Sequence, residues 1–290
     1  MQQNDNCEWG KRTVMTIGIT GAAGGIGSVL ADDLRRRGND LVLVDDLSHG
    51  MLDNFELEAN ARSLMRVDLT DRNADCSALL ECEAIVHLAA ISSLAQCQQD
   101  PMRAMGVNVG ATGRVAEICR TTGAQLIFAS TSAVYESNSE VPFRERDAVH
   151  PLLTYPLTKW VAEEFLLRQA ELMGTAPVII RFFNVFGPRQ DLLRPNPPFI
   201  NYLVREVALG RVPRVYAPLQ QRRDYVFVDD LVKLIHLVLD DEVANPLVVN
   251  AASGQALSIA EILQAVRRVV RGGGGGAARL DGAPRGGGGL

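Results

Sequence analysis

The chain has 290 residues, of which 47% are hydrophobic and 22% charged, a composition typical of a globular protein with a sizeable core. Its formal net charge of −5 provides no basic field for nucleic acid or an anionic membrane, and no apolar run approaches the roughly 20 residues of a membrane helix. Residues 1–12 are polar and lack the apolar segment of a secretory signal, which predicts a cytoplasmic location.

The first element of the chain is a short apolar run that breaks into closely spaced glycines between Val14 and Gly27. This pattern predicts a strand, a tight turn and a helix from about Gly24 to Arg37, with Gly38 as a left-handed cap. Glycine lets the turn approach a bulky anion, and the helix N-terminus suits a pyrophosphate, although such turns are also ordinary connectors. The cofactor contacts predicted here are Gly21, Gly24, Gly25, Ile26 and Gly27.

The next strand favours a phosphate-binding turn over an ordinary connector. Leu41–Val44 is continuously apolar, as a parallel strand buried on both faces should be, and it ends in Asp45 and Asp46. Asp45 follows the last glycine at close to the spacing of about 20 residues at which a dinucleotide fold places the carboxylate for the adenosine ribose. Since that carboxylate would repel a 2′-phosphate, we predict NAD rather than NADP as the cofactor.

Two further apolar runs continue the alternation of strands and helices. Residues 64–67 and 84–88 are predicted to be strands, and small or acidic residues at strand ends line a cofactor crevice in this type of fold. For Asp68, a helix-capping role before Asp71 is an equally good interpretation. The additional predicted cofactor contacts are Asp68, Leu69, Leu88, Ala89 and Ala90.

Two polar residues stand inside apolar patterns. His87 lies within an apolar run and is predicted to be a hydrogen-bonded core histidine rather than a catalyst. Pro101–Ile118 has helical spacing, and Gly123 closes it before the predicted strand Gln125–Ala129. Asn108 interrupts this helix, which predicts a buried amide that ties neighbouring backbone together.

The strand leads into the sequence Ser-Thr-Ser at 130–132, and Tyr155 and Lys159 follow at the start of a helix that reaches about Met173. Residues four apart share a helix face, so the Lys159 ammonium is expected beside the Tyr155 phenol. A neighbouring cation lowers the tyrosine pKa from its usual value near ~10 and makes a base available. Thr131, at the strand end, is expected to bind the same substrate oxygen. In isolation this tyrosine–lysine spacing occurs by chance in many helices.

These motifs occur together in the order of one known family. They are Thr20–Gly27, Asp45–Gly50, His87–Ala90, Asn108–Val109, the serine-threonine stretch, and the pair Tyr155 and Lys159. The chain resembles the extended short-chain dehydrogenase/reductases, and within them the NAD-dependent nucleotide-sugar epimerases and dehydratases, over about residues 13–270. This resemblance implies an α/β fold, a Rossmann-type doubly wound parallel sheet with a smaller C-terminal substrate-binding domain. It also implies NAD as cofactor, a UDP-linked nucleotide sugar as substrate, a homodimer, and Asn108 as part of the cofactor site.

Two later stretches, beginning at Arg181 and Arg222, match the substrate side of that family. In the first, the resemblance places Phe183 near the nicotinamide and Asn184 on the sugar diphosphate. In the second, it places Arg223 on the substrate phosphates, where a guanidinium fork suits a diphosphate. Arg222 itself is expected to be a solvated surface charge.

The rest of the chain predicts three more elements and a change of composition. These are a helix at Phe199–Leu209, a strand at Leu247–Asn250 and a helix at Ser258–Arg271. From Gly272 the chain is glycine-rich and departs from the family. The predicted division is an NAD-binding domain at 13–180, to which parts of 212–251 return, a substrate-binding region at 181–271, and a flexible or atypical tail at 272–290.

The residues after Thr131 distinguish the reactions of the family. By resemblance, its dehydratases place an acidic pair directly after this threonine, and its decarboxylases place a glutamate two positions after it. Ser132 and Ala133 occupy these positions here, and neither acts as a general acid or base at neutral pH. We therefore expect a 4-epimerase of UDP-sugars that works through a transient 4-keto sugar and NADH.

Other functions remain open at this point. A nucleotide-sugar dehydratase or a keto-sugar reductase would use the same fold, although Asp45 argues against the NADPH that such reductases often prefer. A non-catalytic NAD-binding sensor is an alternative of another class. The presence of both Tyr155 and Lys159 argues against a sensor.

The five cysteines and four histidines are scattered along the chain. They lack the short paired spacings of a metal knuckle or a redox motif, and the cysteine count is odd. This distribution predicts reduced, structural thiols and no protein metal site.

Overall fold

The computed structural model of the protein describes residues 14–138, 141–190, 192, 197–241 and 243–272. Its strands are β1 (Thr16–Thr20), β2 (Asp40–Asp45), β3 (Met65–Arg66), β4 (Ala84–His87), β5 (Gln125–Thr131), β6 (Val178–Phe182), β7 (Asn184–Phe186), β8 (Arg222–Phe227), β9 (Leu247–Ala251) and β10 (Ala256–Ser258). Its helices are α1 (Gly25–Arg36), α2 (Glu58–Ser63), α3 (Leu94–Gln99), α4 (Pro101–Met105), α5 (Thr112–Thr122), α6 (Thr154–Met173), α7 (Phe199–Ala208), α8 (Val228–Asp240) and α9 (Ile259–Gly272). In this part of the chain no helix combines the length and apolar character needed to cross a membrane.

Seven parallel strands form the larger sheet, in the order β3-β2-β1-β4-β5-β6-β9. The order runs outward in both directions from β1, so the crossover helices cover both faces. Helices α1 and α8 pack on one face, and α5 and α6 pack on the other. This arrangement confirms the predicted Rossmann-type, doubly wound fold.

The central strands of this sheet are buried on both faces, which explains their continuous apolar sequences. In β6, Val178 and Ile180 belong to the core beneath α1 and α8, whereas Ile179 belongs to the core beneath α5 and α6. Side chains alternate in this way because the strand pleat has a period of two. Each of these fully buried aliphatic side chains stabilises the fold by roughly 1.5–3 kcal/mol.

Most element bounds lie close to the predicted ones, but a π-helical segment and a short third strand differ from the prediction. Gly38 takes φ +84° beyond α1, as a left-handed cap should. The predicted helix Pro101–Ile118 continues to Thr122, but residues 106–111 form a π-helical segment between α4 and α5. The third strand is only Met65–Arg66, shorter than predicted, at the edge of the sheet where it pairs with β2 alone.

The second sheet has three strands in the order β10-β8-β7, and it begins two residues after β6 ends. Helices α7 and α9 pack on it through a core of Leu203, Tyr225, Ile262 and Val266. Between these segments the chain returns to the large sheet as α8 and β9. The predicted glycine-rich tail lies, from 273 onward, outside the described residues.

The cysteines within the described residues are free thiols, namely Cys76, Cys82, Cys97 and Cys119. Burial raises the pKa of Cys82 to about 11 and that of Cys119 to about 12. These two thiols are therefore protonated and unreactive at neutral pH, as structural cysteines are. Cys7 lies outside the described residues.

Candidate active site

A cleft of about 310 Å³ opens at the carboxyl ends of the parallel strands, where open α/β sheets bind their ligands. Most of the predicted cofactor contacts line it. They are Gly21, Gly24, Gly25, Ile26, Gly27, Asp45, Asp46, Asp68, Leu69, Leu88, Ala89, Ala90, Tyr155 and Lys159. Asn108 and Phe183 do not line this cleft.

The glycine-rich turn needs glycine because other backbone lies directly against it. Gly21 has φ +69°, and a Cβ there would lie 2.7 Å from the Ala89 nitrogen. A Cβ on Gly27 would collide with the Gly21 carbonyl oxygen. The turn leads into the N-terminus of α1, whose first amide groups and positive dipole end attract an anion. This backbone cradle fits the pyrophosphate of a dinucleotide.

Asp45 is nearly buried at the end of β2 and braces the glycine-rich turn. One carboxylate oxygen accepts the Ala23 N–H at 3.0 Å, and the other accepts the Leu47 N–H at 2.8 Å. Burial raises the pKa of this carboxyl, and the two backbone hydrogen bonds oppose the increase. Each oxygen accepts a second hydrogen bond when a donor is present, so this geometry is compatible with ribose binding.

Asp68 lines the cleft and also stabilises a turn. Its Oδ1 accepts hydrogen bonds from the Thr70 hydroxyl at 2.7 Å and from the Thr70 N–H at 2.8 Å. These bonds lower the pKa of Asp68, with a smaller contribution from the positive charge of Arg103, which lines the same cleft. A place in the cofactor crevice and a local capping role are therefore compatible for Asp68, although what it stabilises is a turn and not the start of a helix.

Tyr155 is half-buried in the first turn of α6, and its phenol lies near Thr131, the last residue of β5. Thr131 Oγ1 accepts the Ala133 N–H at 3.1 Å, which leaves its own hydroxyl proton for another partner. Burial raises the pKa of Tyr155 to about 12, and the Thr131 hydroxyl opposes this only in part. The phenol is therefore protonated at neutral pH in this structure.

Lys159 is held by β5 and not by the phenol. Its Nζ donates to the Ala129 carbonyl at 2.7 Å and lies 4.6 Å from the centre of the Phe128 ring. The residue is 3% exposed, and burial lowers its pKa to about 8. The expectation that this cation lowers the pKa of Tyr155 is wrong for this structure, because the ammonium is bound to a carbonyl and burial dominates at the phenol.

Asn108 lies in the π-helical segment and ties three parts of the fold together. Its Oδ1 accepts the Ile91 N–H at 2.8 Å, and its Nδ2 donates to the Ile91 carbonyl at 3.1 Å and to Thr158 Oγ1 at 2.9 Å. Ile91 lines the cleft, and Thr158 precedes Lys159 in α6. The predicted structural role is confirmed. The implied direct cofactor contact is not supported, because the amide is fully buried and lies outside the cleft wall.

His87 is a buried core histidine, as the sequence predicts. Its Nδ1 lies 2.6 Å from Thr20 Oγ1, and its Nε2 lies 3.0 Å from Thr112 Oγ1. Thr112 donates its own proton to the Asn108 carbonyl at 2.7 Å, so Nε2 of His87 is the donor and Nδ1 the acceptor. Burial lowers the pKa of His87 to about 3, so the ring is neutral at physiological pH.

The residues predicted for the substrate side lie in and next to the small sheet. Asn184 begins β7, and its Nδ2 donates to the Asp224 carbonyl at 2.7 Å. Arg223 is exposed on β8. Phe182 and Phe183 both pack against the core of the large sheet, and Phe182 lines the cleft, whereas Phe183, predicted near the nicotinamide, does not.

Sequence reasoning missed a buried polar network beneath α6. The Glu163 side chain is 1% exposed and accepts hydrogen bonds from Arg181 Nη2 at 2.6 Å and from the Ser130 hydroxyl. Arg181 Nη1 also donates to the Tyr135 hydroxyl at 2.6 Å, and Ser130 lines the cleft. Two signals were available in the sequence: an arginine inside the apolar strand β6, and a glutamate one helical turn after the lysine of α6.

The fold and the cleft together define a dinucleotide-binding α/β protein with a tyrosine, a threonine and a lysine grouped at the end of β5. A hydroxyl group at such a cleft suits proton transfer that accompanies hydride transfer. The chain matches the model of the NAD dependent epimerase/dehydratase family over residues 17–252, and it belongs to that family. Its glycine cradle fits the NAD that the family uses.

Individual proteins agree with this assignment. The chain is 34% identical over 221 residues to a UDP-glucose 4-epimerase from Mycolicibacterium smegmatis. The aligned region covers 74% of this chain and 70% of the relative. A UDP-N-acetylglucosamine 4-epimerase from Methanobrevibacter ruminantium M1, solved in complex with UDP-N-acetylmuramic acid, matches with a TM-score of 0.82 at 28% identity, over 90% of this chain and 83% of that one. MoeE5, solved in complex with UDP-glucuronic acid and NAD, matches with a TM-score of 0.75 at 30% identity, over 88% and 82% of the two chains.

Proposed function

We propose that the protein is a UDP-sugar 4-epimerase, which inverts the configuration at carbon 4 through a transient 4-keto sugar. The observation that supports this reaction is the start of the short turn after Thr131, where Ser132 and Ala133 offer no acid–base side chain at those two positions. Elimination of water requires such a group to carry protons. An epimerase does not, because the keto sugar turns over and takes the hydride back on its other face.

In this proposal Tyr155 first loses its own proton, since burial keeps the phenol protonated in this structure, and the phenolate then takes the proton of the sugar hydroxyl and later returns it. Thr131, near the phenol, is assigned to hold the same substrate oxygen. Lys159 is protonated below about pH 8 and lines the same cleft, where we assign its ammonium to the bound cofactor. NAD, when bound, supplies the hydride acceptor.

We assign the sugar diphosphate to Asn184 and Arg223. Arg222, the neighbour of Arg223, already contacts Glu261 at 3.4 Å and donates to the Ala256 carbonyl at 3.1 Å. Arg223 is exposed and has no ion pair with another described residue, and its guanidinium fork suits a diphosphate.

A homodimer is the expected assembly, and α6 offers a surface for it. This helix exposes the apolar side chains Leu157, Phe165, Leu172 and Met173, and exposed apolar side chains are candidates for an interface. Light scattering coupled to gel filtration measures the mass, and a monomer at micromolar concentration would contradict the dimer. A cytoplasmic location also stays a prediction.

The reaction is tested by incubating the protein with NAD and a panel of UDP-glucose, UDP-N-acetylglucosamine and UDP-glucuronate. We expect a new chromatographic peak of unchanged mass, with the cofactor oxidised again after each cycle. A product lighter by water would indicate a dehydratase, and one lighter by carbon dioxide a decarboxylase. Inactivity across the panel with NAD bound would favour the non-catalytic sensor.

A further inference from the structure

Arg189 connects the substrate side of the molecule to the cofactor side. It follows β7, yet its Nη1 lies 2.7 Å from Asp32 Oδ2 in α1, and its Nη2 lies 2.8 Å from Glu56 Oε1 just before α2. The arginine side chain is 11% exposed, and the Asp32 side chain is fully buried. A guanidinium that binds two carboxylates in this way has a fixed position, because the planar fork restricts its orientation.

The backbone of the same segment lies against the glycine-rich turn. We call residues 187–190 the strap. A Cβ on Gly25 would lie 3.1 Å from the Arg189 carbonyl oxygen, so the strap touches the first residue of α1. Arg189 has φ +64°, a left-handed conformation that non-glycine residues adopt where surrounding contacts impose it. Arg189 and Gln190 both line the cleft.

Three other donors hold the Asp32 carboxylate in position to bind this arginine. It accepts hydrogen bonds from the Glu56 N–H at 2.7 Å, the Leu57 N–H at 3.2 Å and Asn60 Nδ2 at 2.7 Å. These three donors stay in place when Arg189 is replaced. The buried carboxylate therefore keeps hydrogen-bond partners, and we expect the fold to tolerate the substitution.

We propose that Arg189 fastens the strap over the N-terminus of α1 and thereby retains the bound cofactor. The pyrophosphate cradle lies at Gly25, and the strap backbone lies directly against that residue. A dinucleotide held there leaves when the strap moves away, and this movement separates the guanidinium from Asp32 and Glu56. Arg189 is thus a positioning residue that acts on the dissociation rate. The inference depends on NAD binding and is independent of which reaction follows.

The test measures the dissociation rate of NADH from the full chain by fluorescence after displacement with excess NAD. Arg189→Met removes the fork but keeps an unbranched side chain, and we expect the rate to rise about tenfold or more, with the association rate changed less. The matched control is Arg36→Met, which also loses an ion pair with Glu56 but does not line the cleft. The control should dissociate NADH at the wild-type rate. A rate for Arg189→Met within about twofold of the control would overturn the proposal.

Two milder variants keep the proposal testable if Arg189→Met does not fold. Arg189→Lys keeps the charge without the fork, and Glu56→Gln removes one of the two carboxylates. Both should give dissociation rates between those of the wild type and Arg189→Met, and wild-type rates in both would overturn the proposal. The melting temperature without cofactor is measured in parallel, since a merely structural role would lower it without changing the dissociation rate.

Discussion

The large sheet and the small sheet, proposed as the cofactor half and the substrate half of the molecule, hold their polar residues in different ways. The cofactor half is the large sheet with its helices, where Asn108, His87 and Lys159 are buried and each bonds to another element. The substrate half is the small sheet with α7 and α9, where Arg223 is exposed and Asn184 has a backbone partner on the next strand. The cleft is thus pre-organised by the fold, whereas the arginine proposed for sugar recognition lies at the surface.

The largest expected effect is on turnover, when the phenol oxygen of Tyr155 is removed. We expect Tyr155→Phe to lose on the order of a thousandfold in kcat, since general acid–base groups contribute 10²–10⁴. NAD affinity should stay unchanged, because the pyrophosphate cradle is made by other residues. Product formation gives kcat, and calorimetry gives the affinity. Tyr216→Phe is the control, since Tyr216 is 92% exposed. Near-normal turnover in Tyr155→Phe would remove this phenol from the mechanism.

The pair of Glu163 and Arg181 lies between α6 and β6 of the large sheet, and breaking it should reduce stability more than any single surface change. Glu163→Gln leaves a buried guanidinium without its counter-charge, so we expect the free energy of unfolding to fall by about 3 kcal/mol. Urea denaturation measures this. The matched control is Glu164→Gln, an exposed neighbour that should change stability by less than about 0.5 kcal/mol. Equal effects of the two substitutions would show that the buried pair contributes little.

Much of the cofactor half could be predicted from local sequence signals. A glycine cluster after an apolar strand requires a tight turn, and Asp45 at the end of the next strand marks the same edge of the sheet. These signals are short in sequence and each depends on backbone geometry. The strand order then follows from the few ways in which parallel strands connect.

The details that sequence could not supply depend on distant neighbours. The spacing of Tyr155 and Lys159 places them on one helix face, but the ammonium turns to the Ala129 carbonyl because β5 passes beneath it. Similarly, Phe182 and Phe183 are adjacent, but of the two only Phe182, the last residue of β6, lines the cleft. A spacing rule identifies candidates, whereas the packing of separate elements selects among them.

A smaller effect, on KM, is expected from Arg223 in the small sheet, and it tests whether this exposed arginine binds the substrate. If Arg223 binds the sugar diphosphate, Arg223→Gln should raise KM about tenfold with little change in kcat, because a charged hydrogen bond is lost equally from the ground and transition states. Steady-state kinetics with the active sugar of the panel measures both constants. Arg222→Gln is the control, since Arg222 is engaged by Glu261. A larger increase in KM for Arg222→Gln than for Arg223→Gln would assign phosphate binding to Arg222 instead.

His87 gives the cofactor half a dependence on pH. Burial, assisted by the positive charge of Lys159, holds the pKa of His87 at about 3 in the folded protein, whereas an unfolded histidine has a pKa of about 6.5. Between these two values the unfolded state binds a proton that the folded state does not. The stabilisation is therefore complete above about pH 6.5 and decreases as the pH falls toward 3.

The smallest expected effect is the slope of that dependence. Between about pH 6 and pH 4, the free energy of unfolding of the wild type should fall about 1 kcal/mol per pH unit more steeply than that of His87→Gln, in which this group no longer titrates. Denaturant unfolding at a series of pH values measures the two slopes. The comparison uses slopes and not absolute stabilities, so the hydrogen bonds to Thr20 and Thr112 that the variant weakens do not affect it. Parallel slopes would mean that His87 accepts a proton inside the folded protein, and the core of the cofactor half would then be less rigid than its hydrogen bonds indicate.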